Sequence, residues 1–439
     1  MSERMKIFEY FDKYKDSTAE RVKDGIEKYR KGDLTIKITG ADKKPVKNAE
    51  ITLKQKKHEF KHGANIFMLD EFDTEEKNEA YKNYFAKAFN MATLPFYWDA
   101  TEPEEGKTRY DKNACKLYRR PPIDLCIEFC EKHGIEPREH GLAYEHFFPD
   151  WLKDASVDEI KKHYEKRCKE ISERYADKIR TIEVTNEHHW FKGNTAFYEE
   201  DDFVEYCYKV ARKYFPKNQL GINDFSSMWS EGARIRNRFY MLIEKAIANG
   251  AEIDAVGMQY HMFHREEDDV SHTPSTYNPE HLFGVLDAYS RLNLPIQITE
   301  VTIPAYNDTK EGEEIQARLI KELYSVWFSH KSVEQIIYWN LPDGYAAFAP
   351  QGDMTAGENY YRGGLLRYDL SPKPAYNVIY DLFRKEWITN EKISSDCDGF
   401  AKVHGFYGDY DVEIKADGKC INGEIKFSKK GENEFSFSL

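Results

Sequence analysis

No stretch of this chain approaches the roughly 18 consecutive apolar residues that would cross a membrane. Its first residues, MSERMKIFEYFDKYKD, likewise hold no apolar segment of signal-peptide length. Taken as a complete product, the protein is expected in the cytoplasm, with no membrane partner; had a leader been removed, it would be secreted. Cysteine is sparse and odd in number. Cys115, Cys126, Cys130, Cys168, Cys207, Cys397 and Cys420 do not make a secreted disulfide framework. Cys126 and Cys130 stand four apart in a helical pattern, but no His or further Cys supplies a zinc spacing, so buried thiols and no metal are expected. Positive charge is also short: 64 Lys and Arg stand against 77 Asp and Glu, a net charge of −13. No basic patch of the kind that holds nucleic acid is present. Neutral substrates suit such a surface, and nothing calls for a cofactor.

What the chain does have is apolar and aromatic material. Its 439 residues are 41% hydrophobic and 15% aromatic, enough for a large core and well beyond the roughly 250 residues of a typical (β/α)₈ barrel. A barrel plus something smaller is expected. Most of the Tyr (30), Phe (27) and Trp (7) residues fill cores by default, yet such rings also stack on sugar faces.

Along the chain, residues 5–31 carry helical periodicity and stop at Lys31-Gly32. LTIKIT (34–39) and AEITLK (49–54) are short alternating strands across a turn-rich GADKKPVKN, read as a hairpin. From His58 the pattern becomes strand, loop, helix, repeated. FKHGANI, FNMATL, EPREHGLAY, RTIEVTNE, QLGIND, IDAVGMQYH, PIQITE and EQIIYWN are eight strand candidates, with amphipathic helices such as 158–176, 202–214 and 313–330 between them. This predicts an α/β chain with a (β/α)₈ TIM barrel over 58–386. After Trp387, short alternating strands punctuated by Gly and Asp predict an antiparallel β module over 387–439. Some 50 residues with so thin a core are marginal alone. The module is therefore expected to complete a small accessory β-sandwich with the hairpin in residues 1–57.

In a barrel of this kind the chemistry sits where strands end, on the C-terminal face. The polar residues that close the runs are His62, Asn65, His140, Asn186, Glu187, Asn223, Asp224, Gln259, His261, Glu300, Trp339 and Asn340. Two of these runs are alike: TIEVTNE and PIQITE are β-branched and apolar until each ends in Glu, at Glu187 and Glu300. Glycoside hydrolysis needs such a pair, one carboxyl kept protonated and one ionised. A Glu closing a strand is ordinarily a solvated end residue, and it is the two together that carry weight. At a ragged strand end Asn186 can turn to the mouth beside Glu187, its amide free for a sugar hydroxyl. Gln259 and His261, two apart, share one side of their strand, either as a buried pair or as groups that orient and tune a carboxylate. Trp339 can floor a sugar ring or fill a core.

Together FNMATLPFYWDATEPEEG, EHGLAYEHFFPDWL, EVTNE, GIND, GMQYH, LPIQITE and YWN resemble the pattern of glycoside hydrolase family 10, the xylanase family, from about His58 to Phe383. The resemblance implies a retaining, double-displacement β-glycosidase acting on xylan-derived or related oligosaccharides or polysaccharides. Glu187 would be the general acid/base and Glu300 the nucleophile, with His140, Asn186, Gln259, His261 and Trp339 lining the subsite of the attacked sugar. Trp98 of WDATEP, and Tyr144-Glu145 where members usually carry Trp-His, are further substrate-binding candidates. The β module looks like a domain that flanks some bacterial members.

The departures are as informative. The Glu-Asn pair and Lys that members usually carry shortly before Trp-Asp, which bind the next sugar out, are absent from TLPFYWD. Phe147 or Phe148 stands where a polar residue is usual. Thr302 replaces the Asp that partners the subsite His, so His261 loses a charge partner. Phe96, Tyr97, Phe147 and Phe148 are expected to crowd the outer glycone subsite. Two other readings stand beside the hydrolase. A carbohydrate-binding barrel with little turnover would have no need of a protonated acid opposite an ionised nucleophile. A metal-dependent hydrolase built on His140, His261 and His264 would lack its carboxylate ligands. A glycosidase of the same clan acting on a non-xylan plant glycan is a further alternative.

Overall fold

A computed structural model describes residues 3–188, 193, 195–231 and 234–439. A helical segment ending in the helix Lys15–Arg30 leads into strands β1 (Lys31–Thr39) and β2 (Glu50–His58). The next eight strands are β3 (Lys61–Asn65), β4 (Met91–Pro95), β5 (Glu136–His140), β6 (Thr181–Asn186), β7 (Gln219–Asp224), β8 (Ala255–His261), β9 (Ile296–Thr302) and β10 (Val333–Tyr338). They close a barrel in chain order, with β10 beside β3. Each overlaps one of the eight runs read from sequence, with β4, β9 and β10 reaching one or two residues beyond theirs, and the (β/α)₈ barrel is the fold. The strands are parallel and buried almost throughout, because helices cover their outer faces. A parallel sheet clad in this way reads as a continuous apolar run.

The helices fit their sequences. Val157–Tyr175 is capped by Ser156, whose side chain accepts from the Glu159 amide. Lys310–Ser329 is capped by Thr309 on Gly312. The N-terminal segment belongs with these helices, since Ile7, Phe8, Phe11 and Ile26 are buried in the barrel's own core. Arg4 ties it down through Asp269 Oδ2 (2.8 Å) and the carbonyl of Pro304 (2.7 Å).

Five more strands follow the barrel: β11 (Asn390–Ser394), β12 (Phe400–Phe406), β13 (Gly408–Ala416), β14 (Lys419–Phe427) and β15 (Glu434–Ser438). They join β1 and β2 in two sheets, ordered β12-β1-β15 and β11-β2-β13-β14. The hairpin read from sequence is corrected here, because β1 and β2 do not pair with each other. β1 lies between β12 and β15, and β2 between β11 and β13. The alternation of LTIKIT and EITL specifies which face is apolar but not which strand is the neighbour. The connection over 40–49 is longer than a tight hairpin turn and spans the gap of roughly 10 Å between packed sheets. Leu34, Ile36 and Ile38 thereby meet Ile51 and Leu53 across a shared core with Tyr410, Val412 and Ile414. Strand β11 was missed from sequence; its side chains are mostly exposed and give no apolar alternation.

Candidate active site

Bulges in the two strands that deliver Glu187 and Glu300 shape the floor of the barrel mouth. In β9 the register with β8 slips between Met258/Ile298 and Gln259/Glu300. Thr299 and Glu300 would face opposite sides of a regular strand, but across a bulge both reach the amide of Asn223. Thr299 Oγ1 donates to Asn223 Oδ1 (2.6 Å), and Asn223 Nδ2 donates to Glu300 Oε1 (2.8 Å). β6 is also bulged, between Glu183 and Thr185. Just past its end Glu187 adopts a left-handed backbone, φ 56°, which breaks the pleat and turns Asn186 and Glu187 to the same cavity. The Glu187 amide donates to Asn223 O (3.1 Å), and Tyr198 Oη donates to Glu187 O (3.0 Å), so this turn is held from both ends. Gly257 makes room beside it: a Cβ there would stand 2.5 Å from Asn223 Oδ1.

Gln259 joins the pair. Its Nε2 lies 2.9 Å from Glu187 Oε1 and 3.0 Å from Glu300 Oε1, with Asn186 Oδ1 at 3.2 Å. Two oxygens that share one donor are no farther apart than the sum of those distances, which falls short of the roughly 6.5–9.5 Å between the carboxyls of inverting enzymes. Each carboxylate has a further partner. Tyr144 Oη donates to Glu187 Oε2 (2.8 Å), and His261 Nε2 meets Glu300 Oε2 (3.2 Å). A carboxylate only accepts, so Nε2 of His261 donates to it, while Nδ1 meets Thr302 Oγ1 (2.9 Å). The hydroxyl of Thr302 thus orients the ring without supplying charge. Burial, followed by the charge of Glu300, pushes Glu187 up to about 8, although the bonds from Gln259 and Tyr144 pull the other way.

His140 forms one wall. Its Nδ1 bonds Glu183 Oε1 (2.6 Å), and Glu183 also pairs with Arg138. Burial disfavours the charged forms of both, but the Glu183 charge holds His140 above its ordinary value, and the His140 and Arg138 charges hold Glu183 below its own. The outward Nε2 of His140 is taken by Tyr97 Oη (3.0 Å). Trp339 stands edge-on to Phe67, His140 and His261 at 5.3, 5.5 and 5.7 Å between centroids. The cavity has a volume of about 390 Å³. A larger hollow of about 540 Å³ opens where β3, β9 and β10 begin, at the barrel's opposite end, away from Glu187 and Glu300.

Of the residues read as site residues, Glu187, Glu300, His140, Asn186, His261, Trp339 and Tyr144 line this cavity. Gln259 lies beneath, fully buried. Trp98 and Glu145 are corrected. Trp98 is buried in the wall between Phe148 and Tyr164, with Nε1 on Glu102 Oε2 (3.2 Å). Glu145 opens a 3₁₀ turn that sends Tyr144 and Phe147 to the cavity and its own carboxylate to Thr195 Oγ1 (3.3 Å). The aromatic crowding divides in the same way: Tyr97 and Phe147 line the cavity, whereas Phe96 packs on Tyr175 and Phe148 on Trp98. His62 stacks on Phe383 at 3.8 Å, away from the mouth. His264 bonds Asp269 (2.8 Å) and does not join His140 and His261. Among the described residues no three His, Cys, Asp or Glu are gathered as metal ligands, and no helix is long and apolar enough to cross a membrane. Sequence reading missed Phe67, Arg119, Arg120, Phe225, Phe263, Phe348, Glu358 and Tyr361, which also line the cavity. Most sit on loops, where no periodicity marks them.

Residues 53–382 match the family model for glycosyl hydrolase family 10. The chain belongs to this family. Over 391 residues it is 24% identical to endo-1,4-beta-xylanase 2 of Arabidopsis thaliana, covering 88% of this chain and 32% of that one. It is 24% identical over 412 residues to the anti-sigma-I factor RsgI6 of Acetivibrio thermocellus, covering 91% and 47%. The chain thus spans less than half the length of these curated relatives. Native xylanase 10B of Thermotoga maritima shares the fold with a TM-score of 0.59, 19% identity and coverage of 75% of this chain and 96% of that one.

Proposed function

We propose that the protein is a retaining β-glycosidase for xylan-derived or related oligosaccharides, with Glu300 as nucleophile and Glu187 as general acid/base. The observation that carries this reading is the shared donor. One amide nitrogen, Gln259 Nε2, bonds an oxygen of each carboxylate, which agrees with the roughly 5–5.5 Å separation of a retaining pair. With Glu187 held near 8, its carboxyl carries a proton at neutrality. Glu300 attacks the anomeric carbon while Glu187 gives its proton to the leaving glycosidic oxygen, and the C–O bond breaks. Once Glu300 is esterified its charge is gone, and the electrostatic part of the upward shift on Glu187 goes with it. Glu187 is then the base that takes a proton from water as the hydroxyl adds to the anomeric carbon, releasing Glu300. Asn186, whose Oδ1 accepts from both Asn223 and Gln259, presents its NH₂ end to a sugar hydroxyl.

Tyr97 bonded to His140 and packed against Phe147 at 4.1 Å, the rings tilted by 32°, favours a short glycone side, so small or decorated oligosaccharides are preferred to long unbranched xylan. Comparing kcat/KM for aryl xyloside, aryl xylobioside and polymeric xylan tests this. A xylobioside favoured by several orders of magnitude, with rapid internal cleavage of the polymer, would overturn it. A second reading, sugar binding with little turnover, draws on the relative named as an anti-sigma factor. A covalent glycosyl adduct on Glu300, trapped with a fluorinated aryl glycoside and located by mass spectrometry, decides between the two.

A further inference from the structure

The cavity mouth beside Tyr97 carries cationic groups that the carboxylate pair does not use. Arg119 and Arg120, between β4 and the helix Ile123–His133, both line it. Arg119 is turned away from the cavity's open space, Nη1 donating to the Tyr345 carbonyl and Nη2 to Asn340 Oδ1 (3.1 Å), with only its buried Nε unbonded. Arg120 is not. Its guanidinium lies over three rings, 4.1 Å from the centroid of Tyr97, 4.9 Å from Phe147 and 5.5 Å from Phe67. Its one hydrogen bond runs from Nη1 to Arg119 O (2.9 Å).

Stacking occupies the face of a guanidinium and leaves the N–H groups at its edge. Nε and Nη2 of Arg120 make no hydrogen bond among the described residues, and no carboxylate there lies within ion-pair distance of it. The acidic groups that influence it are Asp99 and Glu358, and Glu358 is turned to Asn340 Nδ2 (2.9 Å). Burial among the rings lowers Arg120 to about 10, so it stays cationic at neutral pH. Were its role only to clamp Tyr97, facial contact would suffice and no edge donors would need to stand in a substrate cavity. A partly desolvated guanidinium with an open fork is suited to bind a carboxylate in two-point fashion. Outside it, Phe348 is exposed (67%) and parallel to Phe147 at 6.3 Å and 12°, a surface on which a sugar ring can lie.

We propose that Arg120 binds the carboxylate of a uronosyl unit standing next beyond the sugar attacked, so the glycone side selects acidic oligosaccharides. This rests on the glycosidase reading above, and it gives the lost polar subsite a charged successor.

The test compares an aryl β-xyloside capped with a glucuronosyl group against the methyl ester of the same compound. The acid is expected to exceed the ester in kcat/KM by about tenfold to a hundredfold, the worth of one charge-assisted bond. Added salt is expected to erode that ratio. Arg120→Gln brings it to about one, and Arg120→Lys keeps part of it. Equal rates for acid and ester in the unmutated protein overturn the proposal. So does a preference seen only between an aryl β-glucuronide and its ester, which places the charge on the attacked sugar. Calorimetric titration of the unmutated protein with both capped compounds gives the same ratio without turnover. If no aryl glycoside is cleaved, the glycosidase reading fails, and the calorimetric ratio still decides whether a carboxylate is recognised. If plain aryl xyloside is cleaved and the ratio is one, the carboxylate site alone is lost.

Discussion

On the floor of the cavity, each oxygen of Glu187 and Glu300 meets a donor, and three of the four donor groups, Asn223, Gln259 and His261, come from adjacent strands β7 and β8. At the rim beside Tyr97 the groups come from segments after β4, β5 and β10, and they meet one another ring to ring: Tyr97 on Phe147, Phe147 on Phe348, Arg120 over Tyr97. Hydrogen bonds fixed by a barrel ladder impose position to a few tenths of an ångström. Stacked rings and a cation over them impose a shape and tolerate exchange. On the glycosidase reading proposed above, the floor keeps one reaction and the rim changes which molecule receives it.

Substitutions at the floor should be the more damaging, and Glu300→Ala the most. It is expected to lose on the order of 10⁴-fold or more in kcat on every aryl glycoside, as when a covalent nucleophile is removed elsewhere. Glu187→Ala should cost about 10² to 10⁴-fold on poor leaving groups and far less on good ones, with azide restoring turnover. Equal mild losses in the two variants would break the assignment of roles.

Gln259→Leu removes a donor from both carboxylates, and a bond to a charged group is worth about 1.5–3 kcal/mol. A fall of roughly 10- to 100-fold in kcat with little change in KM follows. Because that bond holds Glu187 down, the alkaline limb of the pH profile should move up in the same variant. Gly257→Ala touches no substrate, yet it pushes on Asn223; a loss in kcat with unchanged KM would mark it as a positioning residue.

In the unmutated protein, kcat/KM should fall as pH rises through about 8, where Glu187 loses its proton. The same carboxyl should tune stability. Its folded value is raised above the ordinary 4.5, so the stability it contributes is fully present below about that pH and is lost as pH rises through the folded value. Glu187→Gln is free of this loss, and its Tm advantage should widen between about pH 5 and pH 8 in a calorimetric scan.

The smallest effects belong to the rim. Tyr97→Phe releases Nε2 of His140 and should alter the ratio of xylobioside to xyloside efficiency by only several-fold, leaving the pH limb in place. A loss of kcat like that of Gln259→Leu would show that the rim and the floor are one unit.

The same division decided what could be read from sequence. Strands announce themselves by buried, β-branched runs, so the barrel, its eight strands and both carboxylates at their ends were legible. The bulges that aim Thr299 and Glu300 at one amide leave no mark in the pattern, because periodicity does not carry the direction of one residue past a break. Trp98 and Glu145 were misplaced for a related reason: both sit in short helical turns where a neighbour, not they, faces the cavity. Arg119 and Arg120 were invisible. They lie in an irregular segment well past β4, and only the return of the chain over Tyr97 makes them part of a site. In the accessory sheets, alternation told faces correctly and partners wrongly.

Those sheets also impose an order of events. Strand β1 is made well before β15, and Thr35 pairs with Glu434, so at roughly 5–20 residues per second it waits on the order of 20–80 s for that neighbour. The whole barrel is synthesised in that interval. The two early strands stay open-edged until the late ones arrive, and unpaired edges of this kind attract other chains. Closing the sandwich therefore depends on the late strands: a chain interrupted before β15 keeps β1 exposed on one side, and the defect shows about 400 residues from where it arose.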